Sequence, residues 1–418
     1  MGSLGSGSME QRRRVLMLAY LFPPLGGAGV QRTLKFVRYL APLGWEATVI
    51  STRSRDYPAH DLSLLEEIPE TTRVVRTPAI PALRWLSLVP YRLRLNRTFD
   101  YLTWPDGGIG WSPFALVAAL RAARQDRPDV IYSTSTPQGG HLVGLVVHRL
   151  TGIPWVADFR DEWATDAFRA SQPGTLARLS ARLERAITRN ASRIVVAADY
   201  FRLDGLSHDD PKRVVIVNGV DEADLPASAT PPTDRFVLSY VGTTYGIRDP
   251  SPALRALAGL VARGEIDRDR FEVRFVGSMW LEGFQPPPGI RVEQIGYVEH
   301  ARAVEEMCSA TALLLYVPSS SLAPSGKLFE YLASGRPLLC LAHPDNLASR
   351  LVDEWDAGVV ADPHDETEIE QAILTLWRRW QDAGLPDQEE VRRRTLEQYS
   401  RSATAARLAE VFDEAAGC

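Results

Sequence analysis

An apolar run followed directly by a glycine-rich turn decides the fold of this chain: residues 15–29 read VLMLAYLFPPLGGAG. The first six residues have the length and composition of a buried strand, and the apolar spacing over residues 30–40 predicts an amphipathic helix after the turn. A second strand is predicted at residues 47–50. Because strand, loop, helix and strand in this order form a βαβ unit, the sequence predicts a parallel sheet covered by helices.

The same alternation continues in two blocks along the chain. Apolar strands are predicted at residues 130–132, 155–157, 193–196 and 214–217, and again at 236–242, 274–277, 312–316 and 337–340. Residues 225–233 between the blocks are small, polar and proline-rich, which is typical of an interdomain linker. At 418 residues the chain is too long for one ordinary core. The sequence therefore predicts an α/β protein with two Rossmann-like domains, whose parallel sheets face a central cleft.

These signals set the expected domain boundaries. Residues 1–8 have the composition of a Gly/Ser expression scar and are left out of the fold. We predict an N-terminal domain at 9–228 and a C-terminal domain at 229–390. Residues 391–418 contain an amphipathic pattern at 395–412, which predicts one helix that crosses back to the N-terminal domain.

Composition narrows the class of protein. The formal net charge of −5 argues against a nucleic-acid partner, and the 45% apolar and 24% charged fractions are those of a soluble globular chain. No apolar run is long enough to cross a bilayer, and no signal-peptide core is present. The three cysteines lie in no metal or redox spacing, so a reducing, cytoplasmic setting is expected.

The glycine-rich turn is the first candidate site. Gly26, Gly27 and Gly29 precede a helix, so backbone N–H groups and the positive helix end can meet a phosphate there. The dinucleotide fingerprint fails, because Arg32 stands where a third glycine belongs and Arg53 follows the second strand in place of a ribose-binding acid. NAD is therefore disfavoured, while a tight turn without a ligand stays open as the alternative.

A second glycine-containing turn is more specific: residues 324–337 read PSGKLFEYLASGRP. Ser325 and Gly326 open a predicted helix of about two turns that ends at Gly335. Exposed amides, the helix N-terminus and the Lys327 ammonium converge at one place, which suits a diphosphate. Glu330 lies on the same helix face and can accept hydrogen bonds from ribose hydroxyls. The alternative is an ordinary surface ion pair between Lys327 and Glu330.

This segment resembles the donor motif of the retaining family-4 glycosyltransferases, and the resemblance extends over nearly the whole chain. Further segments resemble that family in the same order along the chain: residues 20–24, 217–221, 240–244, 296–300 and 358–360. The resemblance implies the GT-B fold, in which the first domain binds the acceptor and the second binds a nucleoside diphosphate sugar. It also implies sugar transfer with retention of configuration, without a cofactor or an obligatory metal.

The same resemblance assigns donor-binding residues. Lys327 and Arg248 are expected to bind the diphosphate, Glu330 the ribose, and Tyr297 with Val298 the base. The remaining donor-site candidates lie in the matched segments or next to them: Thr243, Ser325, Gly326 and Leu328. The family often carries an acid that contacts the donor sugar where this chain has Leu322, so the sugar is not predicted. The base also stays open, with UDP and GDP as the candidate nucleotides.

A second departure from the family lies in residues 156–163, VADFRDEW, at the end of a first-domain strand. Some members place a catalytic histidine here, whereas this chain has Arg160 between Asp158 and Asp161. An arginine can neutralise a leaving diphosphate, and a carboxylate can orient or deprotonate an acceptor hydroxyl. A purely structural ion pair is the alternative. His141, which follows Gly139 and Gly140, is a further catalytic candidate.

Three residues are predicted to shape the acceptor side, namely Trp104, Asp106 and Trp111, although single tryptophans are more often core. Residues 83–95 mix leucines, aromatics and arginines, which predicts either a peripheral contact with the inner face of a membrane or a partly buried lid. The acceptor class stays open among glycans, lipid-linked sugars and natural products. Two rival functions also remain: a GT-B relative that forms a C- or S-linkage or epimerises a sugar nucleotide, and a non-catalytic nucleotide-sugar-binding partner. The oligomeric state is not predicted.

Overall fold

The computed structural model describes residues 12–53, 60–80, 101–163, 174–226, 229–245, 249–281, 283–317, 327–383, 385 and 388–417. The chain divides into two compact units. The first contains the residues up to Asn218 together with Thr404–Cys418, and the second contains Gly219–Ala403. Each unit is built on its own parallel sheet, so the predicted α/β class with two Rossmann-like sheets is confirmed.

The first unit has a seven-stranded parallel sheet among its described residues, in the order β3-β2-β1-β4-β5-β6-β7. Its strands are β1 Arg13–Leu18, β2 Trp45–Thr52, β3 Arg73–Thr77, β4 Val130–Thr134, β5 Trp155–Phe159, β6 Arg193–Val196 and β7 Arg213–Val215. The chain runs outward from β1 in one direction and then returns to add β4 on its other side. The carboxyl ends of β1 and β4 therefore meet at a topological switch point, where open α/β sheets bind ligands.

Helices cover both faces of this first sheet. They are α1 Ala28–Leu40, α2 Ser112–Asp126, α3 Gly139–Thr151 and α4 Gly174–Asn190. Alternate residues of a strand point to opposite faces. Leu16 of β1 accordingly packs in one apolar cluster with α2, α3 and α4, whereas Val15 packs in another with α1.

The second unit has a six-stranded parallel sheet in its described part, ordered β12-β10-β8-β13-β14-β15, and a short parallel ribbon of β9 with β11. Its strands are β8 Phe236–Val241, β9 Thr244–Tyr245, β10 Phe271–Val276, β11 Met279–Trp280, β12 Arg291–Gly296, β13 Ala312–Tyr316, β14 Leu338–Leu341 and β15 Gly358–Ala361. The strands β13 and β14 are buried on both faces, as expected for central parallel strands.

The helices of the second unit are α5 Ser251–Ala262, α6 His300–Ser309, α7 Lys327–Ala333, α8 Leu347–Glu354, α9 Glu366–Ala383 and α10 Glu389–Tyr399. Aromatic rings dominate one side of the core: Phe236 and Phe271 stack at 4.8 Å, and Trp377 packs against both. Helix α7 has the short length that the sequence predicts, and Gly335 after it has φ 71°, in the left-handed region that ends helices.

The predicted single helix over residues 395–412 is wrong. Helix α10 ends at Tyr399, and a separate helix, α11 Arg401–Ala416, follows. Ser400 between them is extended because this backbone pairs with Val220: the Val220 N–H donates to the Tyr399 carbonyl at 2.9 Å and the Arg401 N–H donates to the Val220 carbonyl at 2.7 Å. From Thr404 onward α11 belongs to the first unit, where Phe412 packs in the same cluster as Val15.

Within the described residues, no helix has both the length and the apolar character required to cross a bilayer.

Candidate functional site

Three glycines line the carboxyl edge of the second sheet. Gly242 follows β8, Gly277 follows β10, and Gly296 ends β12. The Gly242 N–H donates to the Val276 carbonyl at 2.8 Å, and the Gly277 N–H donates to the Gly296 carbonyl at 2.7 Å. A Cβ on Gly277 would lie 2.4 Å from the Gly242 carbonyl oxygen, so only glycine fits there. This edge therefore presents bare backbone that a ligand can approach closely.

Sequence reasoning noticed Gly242 but missed Gly277. A signal was present, because an aliphatic residue followed by glycine recurs at 241–242, 276–277 and 295–296. Each pair marks the point where a parallel strand reaches the carboxyl edge of the second sheet.

Lys327 and Glu330 lie at the start of α7, beside this edge. The Lys327 Nζ donates to Glu330 Oε2 at 2.8 Å, and about a third of each side chain is exposed. The Lys327 Cε lies 3.7 Å from the position that a Cβ on Gly242 would occupy. The ion pair that was the alternative interpretation is thus formed, but it stands at the end of β8 rather than on an unrelated surface. Of the other donor candidates, Arg248, Ser325 and Gly326 lie outside the described residues, as does Leu322.

Tyr331 joins α7 to the end of β8. Its hydroxyl donates to the Val241 carbonyl at 3.1 Å and accepts from the Val241 N–H at 2.7 Å. The residue is 1% exposed. This two-way hydrogen bond sets the distance between the start of α7 and the glycine edge. Leu328 is fully buried, so only its backbone can take part in the predicted site.

Three further donor candidates lie at or next to the glycine edge. Tyr297 follows Gly296 and is 82% exposed, so its ring is open to a planar base, and Val298 beside it is partly exposed. The Thr243 carbonyl accepts a hydrogen bond from the Tyr240 hydroxyl at 3.3 Å, which holds the turn after β8. The structure thus gathers Thr243 and Lys327 at the end of β8. Tyr297 follows β12, which is separated from β8 by β10 at the same carboxyl edge of the sheet.

A histidine that sequence reasoning did not single out lies at the first residue of α6. His300 Nε2 is 3.0 Å from Asp224 Oδ2. The hydrogen bond with Asp224 raises the pKa of His300 against the effect of partial burial, and the charge of Glu330 raises it further while Lys327 opposes. His300 is therefore within electrostatic reach of the Lys327–Glu330 pair.

Replacing His300 with glutamine should remove a pH-dependent part of the stability of the second unit. Because the folded pKa is raised above the ordinary value of 6.5, the His300–Asp224 contribution is fully present below that value and is lost as pH rises through the raised pKa. We expect the wild-type chain to exceed H300Q in unfolding free energy at low pH and to converge with it at high pH. Urea unfolding across this range measures the difference, and a gap that is independent of pH would contradict the assignment.

In the first unit, Asp158 and Arg32 form a fully buried ion pair. The Arg32 guanidinium donates to both Asp158 oxygens, at 2.8 and 3.0 Å, and Tyr132 and Thr134 donate to Oδ2 at 2.6 and 2.8 Å. Burial alone would raise the pKa of Asp158, but Arg32 and these hydroxyls outweigh burial and hold the pKa below its ordinary value. Asp158 is 0% exposed. It therefore has no free oxygen for an acceptor and serves to hold α1 on the sheet.

Arg160 extends from the end of β5 to the first glycine loop. Its Nη1 donates to the Gly29 carbonyl at 2.6 Å, while its buried Nε has no hydrogen-bond partner among the described residues. Burial lowers the pKa of Arg160 and the charge of Arg32 lowers it further, whereas the charges of Asp158 and Asp161 oppose this shift. An arginine stays charged under these conditions, so a buried positive charge lies beside the loop. An anion bound there would stabilise it.

The glycines of this loop play different parts. Gly27 is the N-cap of α1 with φ 92°, a conformation that favours glycine, and a Cβ added there would meet no other atom within 4 Å. A Cβ on Gly26 would lie 3.4 Å from the Asp61 Cβ, so that glycine packs against the neighbouring segment. The open position at the N-terminus of α1 is therefore at Gly27, with Gly29 held by Arg160.

The remaining catalytic candidates differ in how far their side chains are exposed to solvent. Asp161 is exposed, and its Oδ2 accepts from the Thr136 hydroxyl at 2.9 Å. His141 is 0% exposed: its Nδ1 bonds the Ser133 hydroxyl at 2.8 Å, and burial lowers its pKa to about 4. A neutral, enclosed imidazole cannot reach a substrate. Of Asp158, Asp161 and His141, only Asp161 is open to an acceptor.

The predicted acceptor-side residues also differ in how deeply they are buried. Trp111 is 0% exposed, stacks edge-on with Tyr20 at 5.6 Å and donates to Thr77, so it is a core residue with no surface for an acceptor. Trp104 is partly exposed and donates to Ser180 at 3.1 Å. Asp106 accepts from the N–H groups of Gly108 and Gln138, which fixes the entry to α3. Residues 83–95 lie outside the described part of the chain.

Gln138, the residue before α3 in the first unit, is a polar residue that sequence reasoning missed. It is 1% exposed, and within the described part of the chain neither polar atom of its side-chain amide has a hydrogen-bond partner. Such orphaned groups are uncommon in folded chains. No sequence pattern signalled it, since burial of a loop glutamine depends on the fold. In the described ranges, no three His, Cys, Asp or Glu side chains lie close enough together to hold a metal ion.

Comparison with known families identifies the part of the chain that contains the first glycine loop and Arg160. The model of the glycosyl transferase 4-like domain matches residues 26–219. Over these residues the chain is similar to the glycosyl transferase 4-like domain. The resemblance to the family-4 glycosyltransferases is thereby confirmed.

A curated relative and two solved structures extend the comparison. The chain is 30% identical over 236 residues to D-inositol 3-phosphate glycosyltransferase 2 of Catenulispora acidiphila. That match covers 52% of this chain and 53% of the relative, so the chain spans about half the length of the curated relative it matches.

The solved structures cover nearly the whole chain. An Anabaena protein, HepE, solved in complex with UDP-glucose, has a TM-score of 0.59 at 16% identity, over 96% of this chain and 99% of that one. A glycosyltransferase from Rickettsia africae has a TM-score of 0.64 at 14% identity, over 97% and 98%. At this identity the likeness concerns the fold, and the predicted GT-B fold class is confirmed.

Proposed function

We propose that this protein transfers a sugar from a nucleoside diphosphate sugar to an acceptor, with retention of configuration. The observation that carries the proposal is the position of the Lys327–Glu330 pair beside the glycine edge of the second sheet. A positive side chain, a helix start and bare backbone at the carboxyl edge of a parallel sheet suit a diphosphate.

The second unit is proposed to bind the donor. The Lys327 ammonium would pair with the diphosphate, and Glu330 would accept hydrogen bonds from the ribose hydroxyls. Tyr297 offers an exposed ring to the base. Arg248, Ser325 and Gly326 stay in the proposal on the strength of the family resemblance. The acceptor is assigned to the first unit.

In the first unit, Arg160 is the proposed electrostatic partner of the departing diphosphate. Its guanidinium donates to the Gly29 carbonyl, while both oxygens of the nearby Asp158 carboxylate are engaged by Arg32. Asp161 is the proposed contact for the acceptor hydroxyl, since it is exposed and its hydrogen bond from Thr136 orients it. Positive charge placed where negative charge develops stabilises a transition state for transfer.

Retention and the absence of an obligatory metal belong to the proposal through the family resemblance. The complex of the Anabaena HepE structure with UDP-glucose makes UDP-sugars the first donors to test. The D-inositol 3-phosphate glycosyltransferase relative makes a phosphorylated polyol the first acceptor to test. The positive charge of Arg160 could pair with the phosphate of the donor or with that of a phosphorylated acceptor.

A donor screen tests the proposal directly. UDP-, GDP-, ADP- and dTDP-sugars are incubated with the full chain, and thermal stabilisation and nucleoside diphosphate release are measured together. We expect one nucleotide class to stabilise the chain and to be slowly hydrolysed, and acceptors to accelerate release. Stabilisation without any release would instead support a non-catalytic binding partner. A product with the mass of the donor would support an epimerase, and the anomeric signal of the product reports retention.

Tyr331→Phe should weaken donor binding more than it slows transfer. The change removes both hydrogen bonds to Val241 and leaves its backbone groups buried and unpaired, which costs about 1–3 kcal/mol of stability. Because Tyr331 positions Lys327 without touching the donor, KM for the nucleotide sugar should rise several-fold while kcat changes little. A loss of thermal stability with an unchanged KM would assign Tyr331 to packing alone.

A further inference from the structure

The outer surface of α2, α3 and α4 carries exposed apolar side chains. The three helices lie side by side on one face of the first sheet and bury their inner sides in a single cluster. Their outer sides expose five large apolar residues: Phe114 39%, Val117 49%, Val146 37%, Leu150 67% and Leu179 41%. Apolar residues gathered on neighbouring helices are unusual on the surface of a soluble protein and mark an interaction site.

Arginines are interleaved with these apolar residues. Six exposed arginines lie on the same three helices: Arg121, Arg124, Arg149, Arg178, Arg182 and Arg189. Among the described residues, none of the six forms an ion pair with a carboxylate. The acids of these helices do not offset them, since Asp126 pairs with Arg73 and Glu184 is 0% exposed. This surface is therefore strongly basic in a chain of net charge −5.

The spacing shows that the two residue types share one face. On α2, Phe114, Val117, Arg121 and Arg124 are spaced three or four residues apart, which aligns them along one side of a helix. The apolar part extends beyond the helices at Tyr101, which is 50% exposed and whose hydroxyl bonds the Thr175 hydroxyl at the start of α4. We call the surface formed by these five apolar residues and six arginines the arginine–apolar face.

We propose that the arginine–apolar face docks this protein on membranes that contain anionic lipids. Arginine heads pair with lipid phosphates at the headgroup level, while the apolar side chains between them enter the boundary with the acyl chains. A second copy of the chain fits less well, because a symmetric contact would bring arginines against arginines. A nucleic acid would pair with the arginines but leave the apolar side chains uncovered. The proposal is independent of the sugar-transfer reaction.

Vesicle binding by the full chain tests the docking surface. Co-sedimentation is compared with vesicles of phosphatidylcholine alone and of phosphatidylcholine with phosphatidylglycerol. We expect binding to the anionic vesicles only, weakened by added salt because the charges are exposed. The triple variant R121E/R124E/R182E should bind at least about tenfold more weakly, since each arginine near an anionic surface contributes measurably to binding.

Matched controls distinguish a specific effect of the arginine–apolar face from an effect of the net charge of the protein. The triple variant R350E/R378E/R379E changes the net charge equally with exposed arginines of the second unit, and it should bind like the wild-type chain. The double variant F114S/L150S should also bind more weakly while it keeps its salt dependence. Thermal unfolding checks that each variant is folded. The proposal is overturned if the wild-type chain ignores anionic vesicles, if both charge-reversal triples lose binding equally, or if F114S/L150S binds as the wild type does.

Discussion

Replacing Lys327 with alanine is expected to reduce donor affinity by about ten- to a hundredfold, since a charge-assisted contact contributes about 1.5–3 kcal/mol. In the structure Lys327 is the cation placed at the end of β8, with its Cε 3.7 Å from the Cβ position of Gly242. Its loss also leaves the Glu330 carboxylate without its ion-pair partner. Titration with the nucleoside diphosphate found in the donor screen measures the change in affinity.

Two further variants sharpen this test. Lys327→Arg keeps the charge but changes its shape, so an intermediate affinity is expected. Arg393→Ala removes a cation from an exposed ion pair with Glu390 on α10, and it should leave donor affinity unchanged. If K327A and R393A bind the nucleotide equally well, the Lys327–Glu330 pair is only a surface ion pair and the proposed donor site is lost.

Replacing Asp158 with asparagine should destabilise the first unit by about 3–5 kcal/mol, because breaking a buried ion pair leaves an uncompensated charge. Arg32 is 1% exposed and would lose both of its bonds to a carboxylate. The matched control is Asp126→Asn, whose pair with Arg73 is half exposed on the arginine side and should cost less than about 1 kcal/mol. Urea unfolding at neutral pH compares the two.

Acid should reproduce part of the Asp158 effect in the wild-type chain. Because the folded pKa of Asp158 is held below the ordinary value of 3.8, its contribution is present above that value and is lost as pH falls through the lowered pKa. D158N should lack this acid-sensitive component. Equal unfolding free energies for D158N and D126N would show that the Arg32–Asp158 pair does not hold α1 on the sheet.

Most strands of the two sheets could be predicted because their signal is local, whereas the edge strands β3, β12 and β15 were missed. Residues 312–316 are uniformly apolar and bounded by breakers, and the structure has β13 at Ala312–Tyr316. The glycine turn before α1 could be predicted for the same reason, since the glycines stand next to one another in the sequence. The break at Ser400 was not visible, because it arises from hydrogen bonds to Val220, far away in the sequence.

The residues of the candidate site also fall into those that could be predicted from local sequence and those that depended on the fold. Lys327 and Glu330 stand three residues apart on one short helix, so their shared face follows from helix geometry. The roles of Asp158, His141 and Trp111 depended on burial, and each is 0% exposed. Gln138 and Gly277 were missed by the sequence analysis, because their importance comes from the distant residues that pack against them.

The sequence by itself thus determined the glycine-rich turn at residues 26–29, the strand before it and the alternation that makes two parallel sheets, because periodicity and turn chemistry are properties of neighbouring residues. Only the tertiary structure decided that Asp158 forms an ion pair with Arg32, 126 positions away along the chain. The tertiary structure likewise decided that the positively charged Arg160 side chain lies beside Gly29. Whether a carboxylate stabilises the fold or can act on a substrate depends on whether it is buried and paired with a cation. A side chain loses its contact with water only when distant segments of the chain pack around it.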